Sequence, residues 1–531
     1  MTAELLIREL ERASQASGAI SRLRLLILNV AASGRLVRSE PTRRLNSAGQ
    51  GLSWEVPVHW DVVPFADLTG IGGTFVDGDW VESKDQDPSG DVRLTQLADV
   101  GVGHFRDRSS RFMRREVADR LNCTYLNPGD ILIARMPDPL GRACIFPGDP
   151  SSCVTVVDVA MLRTARTDVD GGFVVQVLNS SLFGALVASK ASGTTRQRIS
   201  RGNLGRLPFP LPPLAEQHRI VAKVDELMAM CDELEAAQTK REARRDRLRT
   251  TSLRNLVAPE EPKENARFFL RHSARMITRP AHVVGVRQAI LDLAVRGRLV
   301  PQNPGDRLTA VPRPARSHRG SATEPLSGGL PSGWVPATLG TIADIRYGFA
   351  FPSETFGESP SDGMPLIKIG DIGVSRPTVF VRGPYDGQYL VKSGDLLLGL
   401  SGSIKCARWA GPTALLNQRI ARLVPGCHDV HPQWLFLTVT ACLAQWQRET
   451  SKLTVQNIKA AQLREGPAPL PPLSEQRRIV AKVDELMAVC DELGQSLATE
   501  QTERARLLEA LLHDALEDAL PARELELLGA R

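Results

Sequence analysis

The chain has 531 residues, 42% hydrophobic and 24% charged, a composition that excludes disordered and collagen-like classes and fits a globular protein. That length exceeds what one hydrophobic core sustains, so two to four domains are expected. Lys and Arg number 66 against 60 Asp and Glu, a net charge of only +6, which implies local basic patches rather than a uniformly basic surface.

Residues 1–53 are expected to be a helical segment followed by a linker. Leu23 to Ala32 is apolar but too short to span a membrane and is flanked by charge, and no secretory leader is evident. Ile27 to Val37, ILNVAASGRLV, ends in a helix-capping glycine at Gly34, and a polar stretch over 38–53 follows.

Residues 54–210 open on Pro57-Val58-His59-Trp60. Short runs of β-branched residues and leucine after Gly-Asp turns, such as Gly129-Asp130-Ile131-Leu132, indicate strands in a mixed α/β domain. His104 to Arg120, HFRDRSSRFMRREVADR, holds Arg106, Arg108, Arg111, Arg114, Arg115 and Arg120 with Phe105 and Phe112 interleaved. Such density suits phosphate contacts and guanine readout; the bland alternative is a solvated face paired with Asp107, Glu116 and Asp119. Arg196, Gln197, Arg198 and Arg201 form a second candidate contact near the end of this domain.

Residues 211–300 begin with LPPLAEQHRIVAKVDELMAMCDEL, Leu211 to Leu234. LPPLSEQRRIVAKVDELMAVCDEL recurs at Leu470 to Leu493, an offset of 470 − 211 = 259, with three of 24 positions changed: Ala215/Ser474, His218/Arg477 and Met230/Val489. A repeat of this period means two copies of one architectural unit. The spacing of Ile220, Val224, Leu227, Cys231 and Leu234, and of Ile479, Val483, Leu486, Cys490, Leu493 and Leu497, is a coiled-coil seam. Each helix is expected to run roughly 40 residues, about 60 Å, and the two seams to pair antiparallel if the chain folds back. Ser474 is the expected helix cap in the second copy, and Ala215 is a poor one in the first. Lys240 to Arg254 is expected to be an exposed charged face, with DNA phosphates or a partner subunit as the other possibility.

Ile290 to Val300, ILDLAVRGRLV, repeats the first capped helix with Gly297 at its end. A proline-rich linker, 301–329, leads to a second α/β domain, 330–469, which opens on Pro331-Ser332-Gly333-Trp334. Its landmarks match the first domain in order: Asp371-Ile372-Gly373 answers Asp99-Val100-Gly101, Gly394-Asp395-Leu396-Leu397 answers residues 129–132, and Gln456 and Ile458 answer Gln197 and Ile199. Candidate DNA contacts here are Lys368, Lys405, Arg408, Asn417, Gln418, Arg419, Lys452, Thr454, Gln456 and Asn457. Residues 470–531 form the second long helix.

No phosphate-binding loop, dinucleotide fingerprint or amino-methyltransferase motif is present. The eight cysteines form no CxxC pair, which fits a reducing cytoplasm and neither a disulfide framework nor a zinc site. Cys427-His428-Asp429-Val430-His431 has three potential ligands but no second cluster nearby, so no metal is expected.

Two unlike domains, each followed by PLPPL-x-EQ-x-RIVAKVDELM-x-x-CDEL, resemble the specificity subunit of a type I restriction–modification system over nearly the whole chain. The resemblance implies an α/β fold with two target-recognition domains separated by a pair of long antiparallel coiled-coil helices in a pseudo-twofold repeat. It implies that each domain reads one half of an asymmetric site on double-stranded DNA. Two methyltransferase subunits would dock on the helices, restriction subunits would join that core, and methyl-donor and ATP sites would lie on those partners. The chain itself is then expected to be non-catalytic, without cofactors, off the membrane and cytoplasmic. A coiled-coil scaffold without DNA and a standalone DNA-modifying enzyme are the alternatives.

Overall fold

The computed structural model describes residues 18–37, 42–43, 52–193, 196–258, 260–306, 308, 329–402, 404–450 and 457–517. The chain divides into two units, residues 1–241 with 501–531, and residues 242–500.

In the first unit, helix α1 (Ala19–Ala32) precedes strands β1 (Thr74–Asp77), β2 (Val92–Thr95), β3 (Phe112–Met113), β4 (Ile131–Ala134), β5 (Ala143–Ile145), β6 (Ser152–Thr155) and β7 (Val159–Arg163). Helices α2 (Gly171–Leu178) and α3 (Ser181–Ser189) follow, then the long helix α4 (Leu214–Val257), whose residues up to Arg241 belong to this unit. One antiparallel sheet has the order β1-β7-β4-β5; a second has the order β3-β2-β6, with β2 and β6 parallel. All four residues of β4 are buried because the strand is covered on both faces. Ile131 and Ile133 join the core that holds Trp60, Phe173 and Phe209, while Leu132 and Ala134 join the core between the sheets. Successive side chains of a strand point to opposite faces, and here each face has its own core.

In the second unit, α5 (Pro262–Met276) and α6 (Pro280–Val295) precede β8 (Ala343–Tyr347), β9 (Phe356–Gly357), β10 (Met364–Ile367), β11 (Val379–Val381), β12 (Leu390–Val391), β13 (Leu396–Gly399), β14 (Cys406–Arg408), β15 (Ala414–Leu416) and β16 (Ile420–Pro425). Helix α7 (Pro432–Thr450) and the long helix α8 (Leu473–Glu517) follow, the latter belonging to this unit up to Glu500. The sheets β8-β16-β13-β14 and β9-β11-β10-β15-β12, with β10 and β15 parallel, repeat the first unit's plan. The repeat in sequence is therefore a repeat in topology.

The nearly identical residues are the ones that hold each domain to its helix. Gln217 and Gln476 are fully buried. The Gln217 amide donates to the Asp168 and Pro212 carbonyls at 2.8 and 2.7 Å and accepts from Asp170 N at 2.8 Å. Gln476 repeats this with Asp429 O, Pro471 O and His431 N at 2.7, 2.8 and 2.8 Å. The segment 427–431 is thus a turn pinned by Gln476, and among the described residues no His, Cys, Asp or Glu group is arranged to hold a metal ion. Gly34 and Gly297, at φ 74° and 65°, close Schellman ends on α1 and α6: Arg35 N donates to Val30 O at 3.0 Å, and Arg298 N to Leu293 O at 2.9 Å. A Cβ on Gly34 would lie 2.8 Å from the Trp60 ring, and one on Gly297 2.9 Å from the Trp334 ring, so each tryptophan segment seats on a bare glycine.

One expectation needs correction. The long helices start at Leu214 and Leu473, one residue before Ala215 and Ser474. The carbonyls of Pro213 and Pro472 accept the amides of Gln217 and Gln476 at 3.1 and 2.9 Å, so the helix is entered from the prolines. Ser474 instead bonds Asp306 at 2.7 Å, and alanine is tolerated at the matching place. The seam residues lie in the cores of their own domains. Ile220, Val224, Leu227 and Cys231 lie in the core with Trp60 and α1, with Leu234 packed against it. Ile479, Val483, Cys490 and Leu497 lie in the core with Trp334 and α6, with Leu486 and Leu493 packed against it. An apolar stripe with this rhythm suits any concave apolar surface, and the domain supplies one. Arg24 pairs with Asp232 at 2.6 Å and Glu235 at 2.7 Å across α1 and α4, and Arg287 with Asp491 joins α6 to α8 in the same way.

Helix α5 has no counterpart among the elements expected from the sequence. In the second unit, Arg279 reaches Glu242 at 3.5 Å and Asp246 at 3.6 Å, and Leu253 and Leu256 pack on the core, so the end of the basic stretch 240–254 is only partly a solvated face. All eight cysteines are free thiols, and burial pushes Cys123 and Cys406 up to about 12 and Cys144 and Cys153 to about 11. Among the described residues no single helix is long and apolar enough to cross a membrane.

Gln217→Leu should destabilise the first domain by about 3 kcal/mol, because two buried carbonyls and one amide lose their partner. Urea unfolding and amide exchange at Asp170 measure this, and Gln476→Leu should act on the second domain instead.

Candidate nucleic-acid interface

Strand order puts the C-terminal ends of β1, β2, β4 and β6 at one end of the first domain. The segments 78–84, 96–111, 135–142 and 156–158 leave from that end, and 196–201 joins them through Ile199 N to Arg135 O at 3.2 Å. In the second domain the segments 348–355, 368–375, 400–402, 404–405 and 417–419 occupy the matching end, joined by Ile458 N to Leu400 O at 2.8 Å.

The longest of these loops, 96–111, is hung from three buried charged side chains. Asp99, fully buried, accepts from the amides of Gln96, Arg108 and Ser109 at 2.6, 2.6 and 2.7 Å. Arg93 donates to Ser109 O at 3.1 Å and pairs with Asp149 at 2.6 Å and with Asp107. Arg142 donates to Val100 O at 2.7 Å and Leu97 O at 2.8 Å. Charge-assisted bonds of this kind are short and strong, and they fix the backbone of a loop that lacks regular structure. Asp371 uses the same device in the second domain, accepting Lys368 N at 2.8 Å. This explains the shared Asp-x-Gly landmarks. The Gly-Asp landmarks have a parallel cause: Gly129 and Gly394 sit at φ 96° and 94°, while Asp130 and Asp395 accept Asn127 N and Lys392 N at 2.7 and 2.8 Å.

The arginine-rich stretch is divided between two ends of the domain. Arg106, Arg108 and Arg111 lie on the loop or where it rejoins the sheet, and their side chains have no bonding partner among the described residues. Arg114, Arg115 and Arg120 lie past β3, toward the opposite end. There Arg114 pairs with Asp87 at 2.6 Å, Arg115 with Asp91 at 3.1 Å and Arg120 with Asp85 at 3.2 Å. Their acidic partners come from 85–91, not from Asp107, Glu116 or Asp119. Asp107 is taken by Arg93, and Asp119 accepts from the Tyr125 hydroxyl at 2.7 Å.

Arg196 and Gln197 are exposed at the candidate end, Arg198 pairs with Asp158 at 3.4 Å, and Arg201 donates to Phe75 O at 2.8 Å. Lys368, Lys405, Asn417, Gln418, Arg419 and Asn457 all fall on the matching end of the second domain. Lys368 lies over the Phe356 ring at 5.7 Å. Arg408 does not belong to this group: at the other end of β14 it donates to Gly394 O at 3.0 Å and Gln433 Oε1 at 2.9 Å. Lys452, Thr454 and Gln456 lie outside the described residues.

Sequence reasoning missed two kinds of residue at this end. One is the buried supports Arg93 and Arg142, whose partners are far away in sequence. The other is the exposed aromatics, Trp80 at 70% and Phe349 at 44% exposure. Both follow a glycine, Gly78 or Gly348, at which a Cβ would lie about 2 Å from the facing carbonyl, of Val156 at 2.0 Å or Asn417 at 2.1 Å. That shared glycine after an edge strand was the available signal.

The chain is similar to known proteins in both sequence and fold. The family model "Type I restriction modification DNA specificity domain" matches residues 58–245 and 331–501. The specificity subunit of the type I restriction enzyme EcoAI from Escherichia coli is 27% identical over 432 residues, 74% of this chain and 73% of that one. The EcoEI specificity subunit from Escherichia coli is 24% identical over 443 residues, 74% and 73% of the two chains. A solved structure, described as the basis of complex assembly and conformational transition of the type I R-M system, shares the fold with a TM-score of 0.51 and 22% identity, covering 86% of this chain and 98% of that one.

Alanine at Arg106, Arg108 and Arg111 together should lower the slope of log binding constant against log salt by on the order of 2 to 3, at about 0.9 per phosphate contact. Alanine at Arg114, Arg115 and Arg120 should leave the slope nearly unchanged and lower the melting temperature. Equal slopes for both triples, measured by fluorescence anisotropy on duplex DNA, would mean that the division between the ends has no bearing on binding.

Proposed function

The chain belongs to the type I restriction–modification DNA specificity family, and on that premise we propose that its two domains each read one half of an asymmetric, two-part DNA sequence through the loop ends described above. The observation that carries this reading is one backbone plan used twice, with unlike side chains at the matching end. A single frame presents two different sets of donors and acceptors, as two different half-sites require. Arg106, Arg108 and Arg111 in the first domain, and Lys405, Gln418 and Arg419 in the second, supply positive charge and hydrogen-bond donors toward DNA.

The chain acts as the recognition component and leaves methyl transfer and DNA cleavage to partners. Two methyltransferase subunits dock on the repeated helical regions, with restriction subunits joining that core. The duplication supports a pair of docking sites, because the exposed residues of the repeat, such as the Lys223–Glu226 and Lys482–Glu485 pairs at 2.9 and 2.8 Å, occur twice in the same setting. The long helices set the distance between the half-sites.

Exchanging residues 54–210 for the matching domain of a relative should change one half of the methylated sequence and leave the other intact, when the chain is co-expressed with methyltransferase subunits and sites are mapped by sequencing. A hybrid altered in both halves contradicts modular reading.

Spacing has its own test in the exposed stretch of α4 beyond Cys231. Four residues inserted after Ala237 add about 6 Å of helix and turn it by roughly 400°, so the faces stay nearly aligned. The same half-sites should then be methylated with about two more base pairs between them. Retention of the original spacing alone would leave the helices a docking role only.

A further inference from the structure

At the end where the two domains present their loops, four matched backbone positions carry different chemistry. In the first domain Arg135 N donates to Asp158 O at 2.9 Å and Ile199 N to Arg135 O at 3.2 Å; in the second, Leu400 N donates to Arg419 O at 2.9 Å and Ile458 N to Leu400 O at 2.8 Å. Asp77 stands opposite Ala160 as Tyr347 stands opposite Ala421. Arg198 precedes Ile199 as Asn457 precedes Ile458. The set Asp77, Arg135, Asp158 and Arg198 is therefore replaced, place for place, by Tyr347, Leu400, Arg419 and Asn457.

In the first domain these side chains form an ion network. The Arg135 side chain is only 6% exposed and pairs with Asp77, and Arg198 holds Asp158 at 3.4 Å. Asp158 remains about one third exposed at the tip of the turn between β6 and β7. In the second domain the network is gone. Arg419 is exposed on the matching turn, and its guanidinium meets only the Ser401 hydroxyl, at 3.5 Å, among the described residues. Both turns are closely backed by the end of an edge strand: a Cβ on Gly78 or Gly348 would lie 2.0 or 2.1 Å from the turn's first carbonyl. A side chain that discriminates bases needs such a fixed base.

We propose that this turn position is a base-discriminating contact in both domains, with opposite polarity: Arg419 donates to the O6 and N7 acceptors of a guanine in one half-site, and Asp158, steadied by Arg198, accepts from the amino group of a cytosine in the other. This rests on the half-site reading given above and adds to it the two residues and the base each selects. Arginine matches guanine and a carboxylate matches cytosine by the donor and acceptor pattern of the major groove.

The test uses the full chain in complex with its methyltransferase subunits, with methylated sites mapped by sequencing for the wild type, Arg419→Gln, Arg419→Lys and Asp158→Asn. Arg419→Gln should lower the preference for guanine at one position about ten- to a hundredfold, toward adenine, in the half-site of the second domain only. Arg419→Lys, which keeps the charge but loses the planar fork, should retain salt-sensitive binding with a weakened guanine preference. Asp158→Asn should relax one cytosine position in the other half. Circular dichroism melts establish that the variants are folded. If Arg419→Gln weakens binding at all sites equally and keeps the wild-type sequence, Arg419 is a phosphate contact and the inference fails while the half-site reading stands. If exchange of residues 54–210 also fails to alter one half alone, both fall together.

Discussion

A neutral, fully buried amide holds each half of this molecule together. Gln217 and Gln476 each tie three backbone groups from two segments: the proline turn at the start of the long helix, and the chain just before α2 or α7. A carboxylate would bring an uncompensated charge into that place, and an apolar side chain would orphan the carbonyls. Only a group that donates twice and accepts once, without charge, satisfies all three. The adjacent glutamate shows how much latitude exists one residue away. Glu216 meets His59 at 2.7 Å, whereas Glu475 meets Gln302 at 2.6 Å. The helix is thus locked to its domain through the amide, and the apolar stripe from Ile220 or Ile479 then has one surface on which to lie.

Charge is organised by distance from this joint. Pairs between helices, such as Arg24 with Asp232, are partly exposed and recur in both halves, and pairs of this kind contribute little stability individually. Their value is in register, since each fixes how far the short helix slides along the long one. Toward the loop end the arginines are of two kinds. Arg93 and Arg142 are buried and spend their donors on backbone and carboxylates. Arg108 and Arg111 stand out into solvent from the same stretch of chain that those two hold in place.

What could be recognised from sequence was local. The repeat, the glycine ends at Gly34 and Gly297, and the Gly-Asp turns before β4 and β13 are each determined by residues within a few positions of one another, and all appear in the fold. The rhythm of Ile220 to Leu234 correctly marked a buried stripe but could not say what buries it, because periodicity reports a face and not its partner. The division of the arginine cluster was hidden for a related reason. Asp85, Asp87 and Asp91, which neutralise half of it, lie some 27 residues from their partners, as Arg114 with Asp87 illustrates, and only strand pairing brings them near. The absence of a cap at Ala215 misled because the prolines before it enter the helix without one.

The way the loop 96–111 is anchored has a consequence for how such a protein changes over time. Its supports, Asp99, Arg93 and Arg142, grip main-chain atoms, which every amino acid possesses. Asp107, which pairs with Arg93, and Phe105, which packs on Phe146, share in the anchoring, but exposed side chains such as Arg108 do not, so replacing one of those should leave the loop's shape and the domain's stability largely untouched. A lineage can therefore change the exposed residues of this loop one codon at a time without passing through unfolded intermediates. Robustness at the root of the loop is what makes its tip free to innovate.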